Sequence, residues 1–169
     1  MKHKGLYAIT PDGLGTAELL RRVELALLGG ARLVQYRNKP ADAALRREQA
    51  ATLAALCHAH GAHLIVNDDL RLALEAGADG VHLGREDGDL AAARAALGPG
   101  KLLGVSCYDE MERAREAGRI GADYIAFGSF FASPTKPAAV RAALTLPAAA
   151  KSELGLPVCA IGGITLQNA

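Results

Sequence analysis

The sequence predicts an α/β fold in which short parallel strands alternate with helices and curl into a (β/α)8 barrel. Three segments, LLGGARLVQY, EAGADGVHLG and RIGADYIAFG, repeat one pattern: a helix end, a glycine, a turn and a short apolar run. Seven apolar runs of strand length alternate with segments rich in Ala, Leu, Arg and Glu, which favour helix. The alternative, a doubly wound open sheet, is disfavoured because no G-x-G-x-x-G follows the first run.

The strands are assigned to the apolar runs because a run this short is typical of a strand buried on both faces. Three of them end the repeated segments Leu27–Tyr36, Glu75–Gly84 and Arg119–Gly128, and the others are Leu6–Ile9, Leu64–Val66, Leu102–Val105 and Val158–Ile161. The intervening segments are predicted as helices, such as Ala17–Leu28, Ala41–His60 and Asp109–Ala117, with Asp109 as a candidate N-cap.

The length predicts one domain over residues 1–169. A closed barrel of this class usually needs about 250 residues. Seven strands are visible, and the sequence stops at TLQNA, where a seventh helix should begin. We therefore expect a C-terminal truncation that removes the eighth strand.

Composition narrows the class of protein further. Hydrophobic residues make up 50% of the chain, which is enough for a sizeable core. The formal net charge of +1 argues against nucleic-acid or membrane-surface binding, and no apolar run is long enough to span a bilayer. Cys57, Cys107 and Cys159 match neither a disulfide framework nor a zinc site. These features predict a cytoplasmic protein, and they leave open whether it forms a homo-oligomer.

The carboxyl ends of the strands form the working face of a barrel, so the residues that follow each run are the candidates for chemistry. Gln35, Arg37 and Lys39 alternate after the second strand and would point the same way while strand geometry lasts. An amide and two cations suit a polyanion such as diphosphate. The alternative is a strand end with solvated charges.

Carboxylates follow the third and fourth strands. Asn67 and Asp68 end the third strand, and Asp87 lies in the loop after the fourth. Asp68 and Asp87 are candidate ligands for Mg²⁺, which takes one or two protein carboxylates together with substrate phosphate oxygens. Helix capping is the alternative role for Asp68 or its neighbour Asp69, and for Asp87 or the nearby Asp89.

The fifth strand ends in polar and small residues. Ser106 can donate to a phosphate oxygen, whereas its neighbour Cys107 is interpreted as a buried filler because no histidine lies nearby in sequence to act as its base. His82, inside the fourth strand, is interpreted as a packed, hydrogen-bonded residue and not as a ligand.

The last two loops have features of a phosphate site. The loop after the sixth strand carries Ser133, Thr135 and Lys136, and the seventh strand is followed by Gly162 and Gly163 with bare backbone N–H groups. A tight turn is the alternative role of the two glycines. Cations, carboxylates and hydroxyls at one mouth indicate that a divalent metal and a diphosphate bind there together, with diphosphate as the leaving group.

These motifs resemble those of the thiamine phosphate synthase family. VQYRNK, IVNDD, GADGVHLGREDGD, GVSCY, GADYIAFGSFFASPTK and AIGGI are similar to the family's motifs in order and spacing. The resemblance implies a TIM barrel, and a transferase that joins a pyrimidine methyl diphosphate to a thiazole phosphate, or to its carboxylated form, giving thiamine phosphate and diphosphate. The family's T-x-T-K reads Ser133-Pro134-Thr135-Lys136 here, which keeps the hydroxyl, and Tyr36 replaces the common Leu.

The resemblance also implies a role for each matching residue. The Mg²⁺ ligands would be Asp68 and Asp87. The pyrimidine diphosphate would contact Gln35, Arg37, Lys39, Asn67, Ser106 and Lys136. Arg37, Lys39 and Lys136 would be catalytic, since they neutralise the leaving group. The thiazole phosphate would contact Ser133, Thr135 and Gly163.

Two alternative functions are compatible with the barrel. A thiazole tautomerase-like isomerase resembles the synthase but uses a histidine after the fifth strand and lacks the metal carboxylates. Here that region reads SCYDE, and both Asp68 and Asp87 are present. A non-catalytic barrel that binds a phosphate ligand would not need those two aspartates or Arg37. Both comparisons favour the synthase.

Overall fold

One parallel sheet forms the framework of the computed structural model, which describes residues 5–132 and 140–168. Its strands are β1 (Tyr7–Ile9), β2 (Leu33–Tyr36), β3 (His63–Asn67), β4 (Gly80–Leu83), β5 (Leu102–Tyr108), β6 (Tyr124–Phe127) and β7 (Val158–Ala160). The strands lie in chain order, and each pairs in parallel with the next. This order is expected when every connection is a short right-handed crossover through a helix.

The sheet is curled, as the side chains on its concave face show. β1 and β6 are five strands apart, so in a flat sheet they would lie about 24 Å apart. Nevertheless the hydroxyls of Tyr7 on β1 and Tyr124 on β6 are 2.7 Å apart. The seven strands therefore form most of a barrel wall, as predicted.

Helices cover the convex face. They are α1 (Thr16–Leu28), α2 (Ala43–Ala59), α3 (Leu70–Glu75), α4 (Leu90–Leu97), α5 (Met111–Ile120) and α6 (Leu146–Leu154). Within the described ranges, none of the helices has the length and apolar character needed to cross a membrane. The predicted N-cap of α5 is wrong: the cap position is Glu110 and not Asp109, and it makes no side-chain capping bond.

Two separate cores follow from the alternation of strand residues. Val34, Leu64 and Leu103 belong to the large cluster between sheet and helices. Leu33, Ile65 and Leu102, each next to one of them in sequence, form a small cluster inside the barrel against Tyr7. Burial of both strand faces explains why the strands are apolar runs and not alternating patterns.

Candidate active site

A cleft of about 360 Å³ opens at the carboxyl end of β2 and β3. Four of the predicted site residues line it: Arg37, Lys39, Asn67 and Asp68. Two cations, an amide and a carboxylate thus share one cavity, although their side chains leave from different strands. The predicted convergence of charges at one mouth is present in the structure.

The exit from β2 is held by residues that follow β1. The Thr10 hydroxyl donates to the Arg37 carbonyl at 2.9 Å, and the Arg37 N–H donates back to that hydroxyl at 2.9 Å. The Arg37 guanidinium is paired with Asp12, whose other oxygen accepts from the Lys39 N–H at 3.0 Å. Asp12 therefore orients the Arg37 guanidinium and fixes the backbone, but not the ammonium, of Lys39.

Strand alternation was predicted to direct Arg37 and Lys39 to the same side, and this explanation is wrong. β2 ends at Tyr36, so both residues lie beyond the strand. Asp12 and Thr10 fix the chain there instead. Sequence reasoning missed Asp12, although a signal was present: it lies three residues beyond the end of β1, at the same barrel mouth as the other candidates.

Of the two adjacent aspartates after β3, one caps a helix and the other faces the cleft. Asp69 is the N-cap of α3, with its side chain accepting from the Leu72 N–H at 2.9 Å. Asp68 has a φ of 64°, in the left-handed region that costs a residue other than glycine about 1 kcal/mol. Its carboxylate is 2.8 Å from the Lys39 ammonium. Capping by Asp69 therefore leaves the Asp68 carboxylate for the cleft.

The loop after β4 repeats this division. Asp89 caps α4 by accepting from the Ala92 N–H at 2.7 Å, whereas Asp87 accepts from the Gly84 N–H at 2.7 Å. A Cβ on Gly84 would lie 2.9 Å from an Asp87 carboxylate oxygen and 3.0 Å from the Tyr108 hydroxyl. A side chain at position 84 would therefore displace the Asp87 carboxylate, which folds back over Gly84.

The Asp68 and Asp87 carboxyl groups are in hydrogen-bonding contact. Burial raises the pKa of Asp87, and the neighbouring Asp68 adds to the rise. Burial also acts to raise the pKa of Asp68, but the hydrogen bond from Lys39 outweighs it and the pKa of Asp68 is lowered. Two close carboxylates beside one ammonium form a site that favours a further positive charge.

Two predicted contacts lie deeper, inside the barrel. Gln35 is buried and donates from Nε2 to the Tyr7 hydroxyl at 3.0 Å. The Ser106 hydroxyl is 2.9 Å from Nε2 of His82. Cys107 is fully buried, in agreement with its interpretation as a filler, and His82 is packed and hydrogen-bonded, as expected.

The predicted thiazole phosphate site is described in part. Ser133, Thr135 and Lys136 lie outside the described residues. Gly163 follows β7 with a φ of 65°, and a Cβ there would collide with the Ala132 carbonyl oxygen. The seventh loop therefore contacts the residue that directly precedes Ser133. Only glycine combines this backbone conformation with so close an approach.

The family model described as Thiamine monophosphate synthase matches residues 6–169. The chain belongs to this family. It is 60% identical over 166 residues to the thiamine-phosphate synthase of Aromatoleum aromaticum, covering 98% of this chain and 80% of the relative. The corresponding protein of Thiobacillus denitrificans is 58% identical over 165 residues, covering 98% and 78%.

A solved structure supports the same assignment. Thiamine phosphate pyrophosphorylase from Pyrococcus furiosus superimposes with a TM-score of 0.80 at 35% identity, covering 96% of this chain and 76% of that one. The predicted fold class and family are confirmed, and so is the predicted activity, that of a thiamine-phosphate synthase of the transferase class. The tautomerase and the non-catalytic barrel are correspondingly disfavoured.

Proposed function

We propose that the cleft binds a pyrimidine methyl diphosphate and transfers its pyrimidine methyl group to the ring nitrogen of a thiazole phosphate. The bond between the methylene carbon and the diphosphate oxygen breaks, and a carbon–nitrogen bond forms. The products are thiamine phosphate and diphosphate. The observation that carries the proposal is that Arg37, Lys39, Asn67 and Asp68 line one cleft in a member of this family.

Arg37 and Lys39 would hold the departing diphosphate. The Arg37 side chain is 23% exposed and is paired with Asp12, so it is held in one orientation at the cleft wall. A fixed guanidinium needs little reorganisation as negative charge grows on the leaving oxygen, which is where electrostatic catalysis is strongest. Lys39 would shift from Asp68 toward the diphosphate, and Lys136 would add a third cation.

Asp68 and Asp87 would hold Mg²⁺. Two neighbouring carboxylates supply the oxygen ligands that this cation prefers, and a bound cation would relieve the repulsion between them. Within residues 5–132 and 140–168 no group of three or more His, Cys, Asp and Glu side chains is arranged to hold a metal, so phosphate oxygens would complete the shell. The bound ion would neutralise diphosphate charge and so make it a better leaving group.

The pyrimidine ring would lie above the barrel interior, in contact with Gln35, Asn67 and Ser106. Ser133, Thr135 and Gly163 would hold the thiazole phosphate. The contact between Gly163 and Ala132 supports this placement, because it brings the sixth and seventh loops together.

We further propose that diphosphate departs before the new bond forms, leaving a pyrimidine methyl cation that the aminopyrimidine ring stabilises. In this order of steps, catalysis depends on stabilising the departing diphosphate, and the cations of the cleft provide that stabilisation.

The cysteines Cys57, Cys107 and Cys159 are all free thiols, which supports a cytoplasmic location.

The decisive experiment measures diphosphate and thiamine phosphate released by the purified chain. We expect both products in equal amounts when the pyrimidine diphosphate, the thiazole phosphate and Mg²⁺ are all supplied, and neither product when any one is omitted or when EDTA is added. Conversion of a thiazole tautomer without the pyrimidine substrate would indicate the isomerase instead. Binding of the pyrimidine diphosphate and the thiazole phosphate without release of product would indicate a non-catalytic barrel.

A further inference from the structure

A continuous chain of hydrogen bonds crosses the interior of the barrel. Gln35 Nε2 donates to the Tyr7 hydroxyl at 3.0 Å, which lies 2.7 Å from the Tyr124 hydroxyl. The Tyr124 hydroxyl is 3.1 Å from Nδ1 of His82, and Nε2 of His82 is 2.9 Å from the Ser106 hydroxyl. Five side chains from five different strands are thereby joined in one line.

The surrounding backbone leaves room for this chain. Gly104 on β5 lies against its centre, where a Cβ would collide with the Tyr124 ring and lie 2.6 Å from Nδ1 of His82. The His82 and Tyr124 rings are stacked with centroids 5.5 Å apart, and the Tyr7 ring meets Tyr124 edge-on at 5.7 Å. Packing on all sides holds the hydroxyls and the imidazole in register.

The fixed donor at one end sets the direction of every proton. Because Gln35 Nε2 can only donate, the Tyr7 oxygen accepts, and the Tyr7 hydroxyl in turn donates its own proton to the Tyr124 oxygen. The Tyr124 proton then goes to Nδ1 of His82. Because Nδ1 accepts, it is unprotonated, and the imidazole carries its proton on Nε2.

This direction has a consequence at each end of the chain. Nε2 of His82 donates to the Ser106 oxygen, so the Ser106 proton points away from His82 and can be donated to a ligand. At the other end, Gln35 uses its amide nitrogen inside the barrel, which leaves its carbonyl oxygen as an acceptor. An aminopyrimidine offers a ring nitrogen that accepts and an exocyclic amine that donates, which is the complementary pair.

We infer that Tyr7, Tyr124 and His82 are positioning residues, which fix Ser106 as a hydrogen-bond donor and Gln35 as an acceptor toward the aminopyrimidine ring. The inference rests on the proposed function for the identity of the ligand. The three residues touch no reacting atom. They act by removing the alternative orientations of two groups that do touch the substrate.

The variant Tyr124→Phe tests the inference, because it removes one hydroxyl and keeps the stacked ring. The matched control is Ile125→Val, which trims the buried neighbour of Tyr124 on the helix side of the sheet. Binding of the pyrimidine diphosphate with Mg²⁺ is measured by calorimetry, without the thiazole. We expect about tenfold weaker binding for Tyr124→Phe, the value of one hydrogen bond, and an unchanged dissociation constant for Ile125→Val.

A second comparison separates positioning from a general loosening of the fold. If Tyr124 acts through Ser106, then Tyr124→Phe weakens binding less than twofold when it is added to Ser106→Ala. The Michaelis constant for the thiazole phosphate should stay unchanged in both backgrounds. The same tenfold loss with and without Ser106, or equal losses for Tyr124→Phe and Ile125→Val, would overturn the inference.

The tautomer of His82 gives a readout that needs neither substrate nor variant activity. Nitrogen-15 spectra of the wild-type protein, assigned with His82→Gln, should show a protonated Nε2 and an unprotonated Nδ1. A proton on Nδ1 would reverse the chain and refute the inference even if no variant folds. Failure of the wild type to bind the pyrimidine diphosphate would instead refute the proposed function, and the tautomer would still test the hydrogen-bond chain.

Discussion

Aspartates lie at both ends of the barrel wall, but their surroundings differ. At the amino end, Asp79 accepts from the Leu64 N–H at 2.7 Å, and Asp123 accepts from the Leu103 N–H at 2.8 Å. At the carboxyl end, Asp68 and Asp87 touch each other. The first pair is matched with donors, whereas the second brings two like charges together.

The amino-end aspartates stabilise the sheet. Each also donates its own N–H to the carbonyl of the residue that it accepts from, at 2.8 Å in both cases, so it clamps the start of the preceding strand. Asp123 also pairs with Arg94 at 2.9 Å. Burial acts to raise the pKa of Asp79, but the Leu64 N–H and two neighbouring histidines outweigh it, and the pKa is lowered.

The difference shows how one architecture separates stability from function. At the amino end, each aspartate has a backbone donor and basic neighbours of its own, Arg94 for Asp123 and two histidines for Asp79. Carboxylates that a ligand needs are left under-neutralised, which costs stability and is tolerated at a functional site. A cleft of about 410 Å³ also exists at the amino end, beside Arg94 and Asp123, but these two charges already neutralise each other.

The largest effect is expected from Asp87→Asn at the carboxyl end. The amide oxygen can still accept from Gly84, but one metal ligand loses its charge, so kcat/KM should fall about a thousandfold, equal to about 4 kcal/mol. The free energy of unfolding should not decrease, because a like-charge contact disappears. Product release and urea unfolding are measured on the same preparation. A variant that is as active as the wild type, or that is destabilised by more than about 1 kcal/mol, would contradict this comparison.

An intermediate effect is expected between the two ends, at His82. The pKa of His82 is about 4 in the folded chain and 6.5 in the unfolded chain. Between these pH values the unfolded chain binds a proton at His82 and the folded chain does not. Stability from this residue is complete above pH 6.5 and is lost as the pH falls toward 4, a change of about 3 kcal/mol. Urea unfolding from pH 4 to 7 should show this loss in the wild type and not in His82→Gln. Parallel pH curves for the two proteins would refute it.

The smallest effect is expected from Asp123→Ala at the amino end. The change leaves the Leu103 N–H and Arg94 without their partner, so the free energy of unfolding should fall by about 2 kcal/mol. Activity per folded molecule should stay within about twofold of the wild type, because the site lies at the other end. Urea unfolding and active-site titration measure the two quantities. Loss of activity without loss of stability would show that the two ends are not independent.

Much of the fold is predictable from local sequence. The alternation of apolar runs with helix-favouring segments depends on neighbouring residues, so the order of elements and the parallel sheet follow from it. The observed boundaries of the elements differ from the predicted ones by a few residues. For example, β5 extends to Tyr108, although the apolar run that predicted it stops at Val105. The extension comes from pairing with β6, which no local pattern encodes.

The site was predictable as a set of strand ends, and its internal contacts were not. Local sequence shows that Arg37, Lys39, Asn67 and Asp68 follow neighbouring strands, and parallel strands place such ends at one mouth. Tertiary structure decided which member of each aspartate pair faces the cleft, because that choice depends on where a helix begins. It also decided the contacts of Asp12 with Arg37 and of Tyr7 with Tyr124, since the curl of the sheet brings together residues that are 25 and 117 positions apart.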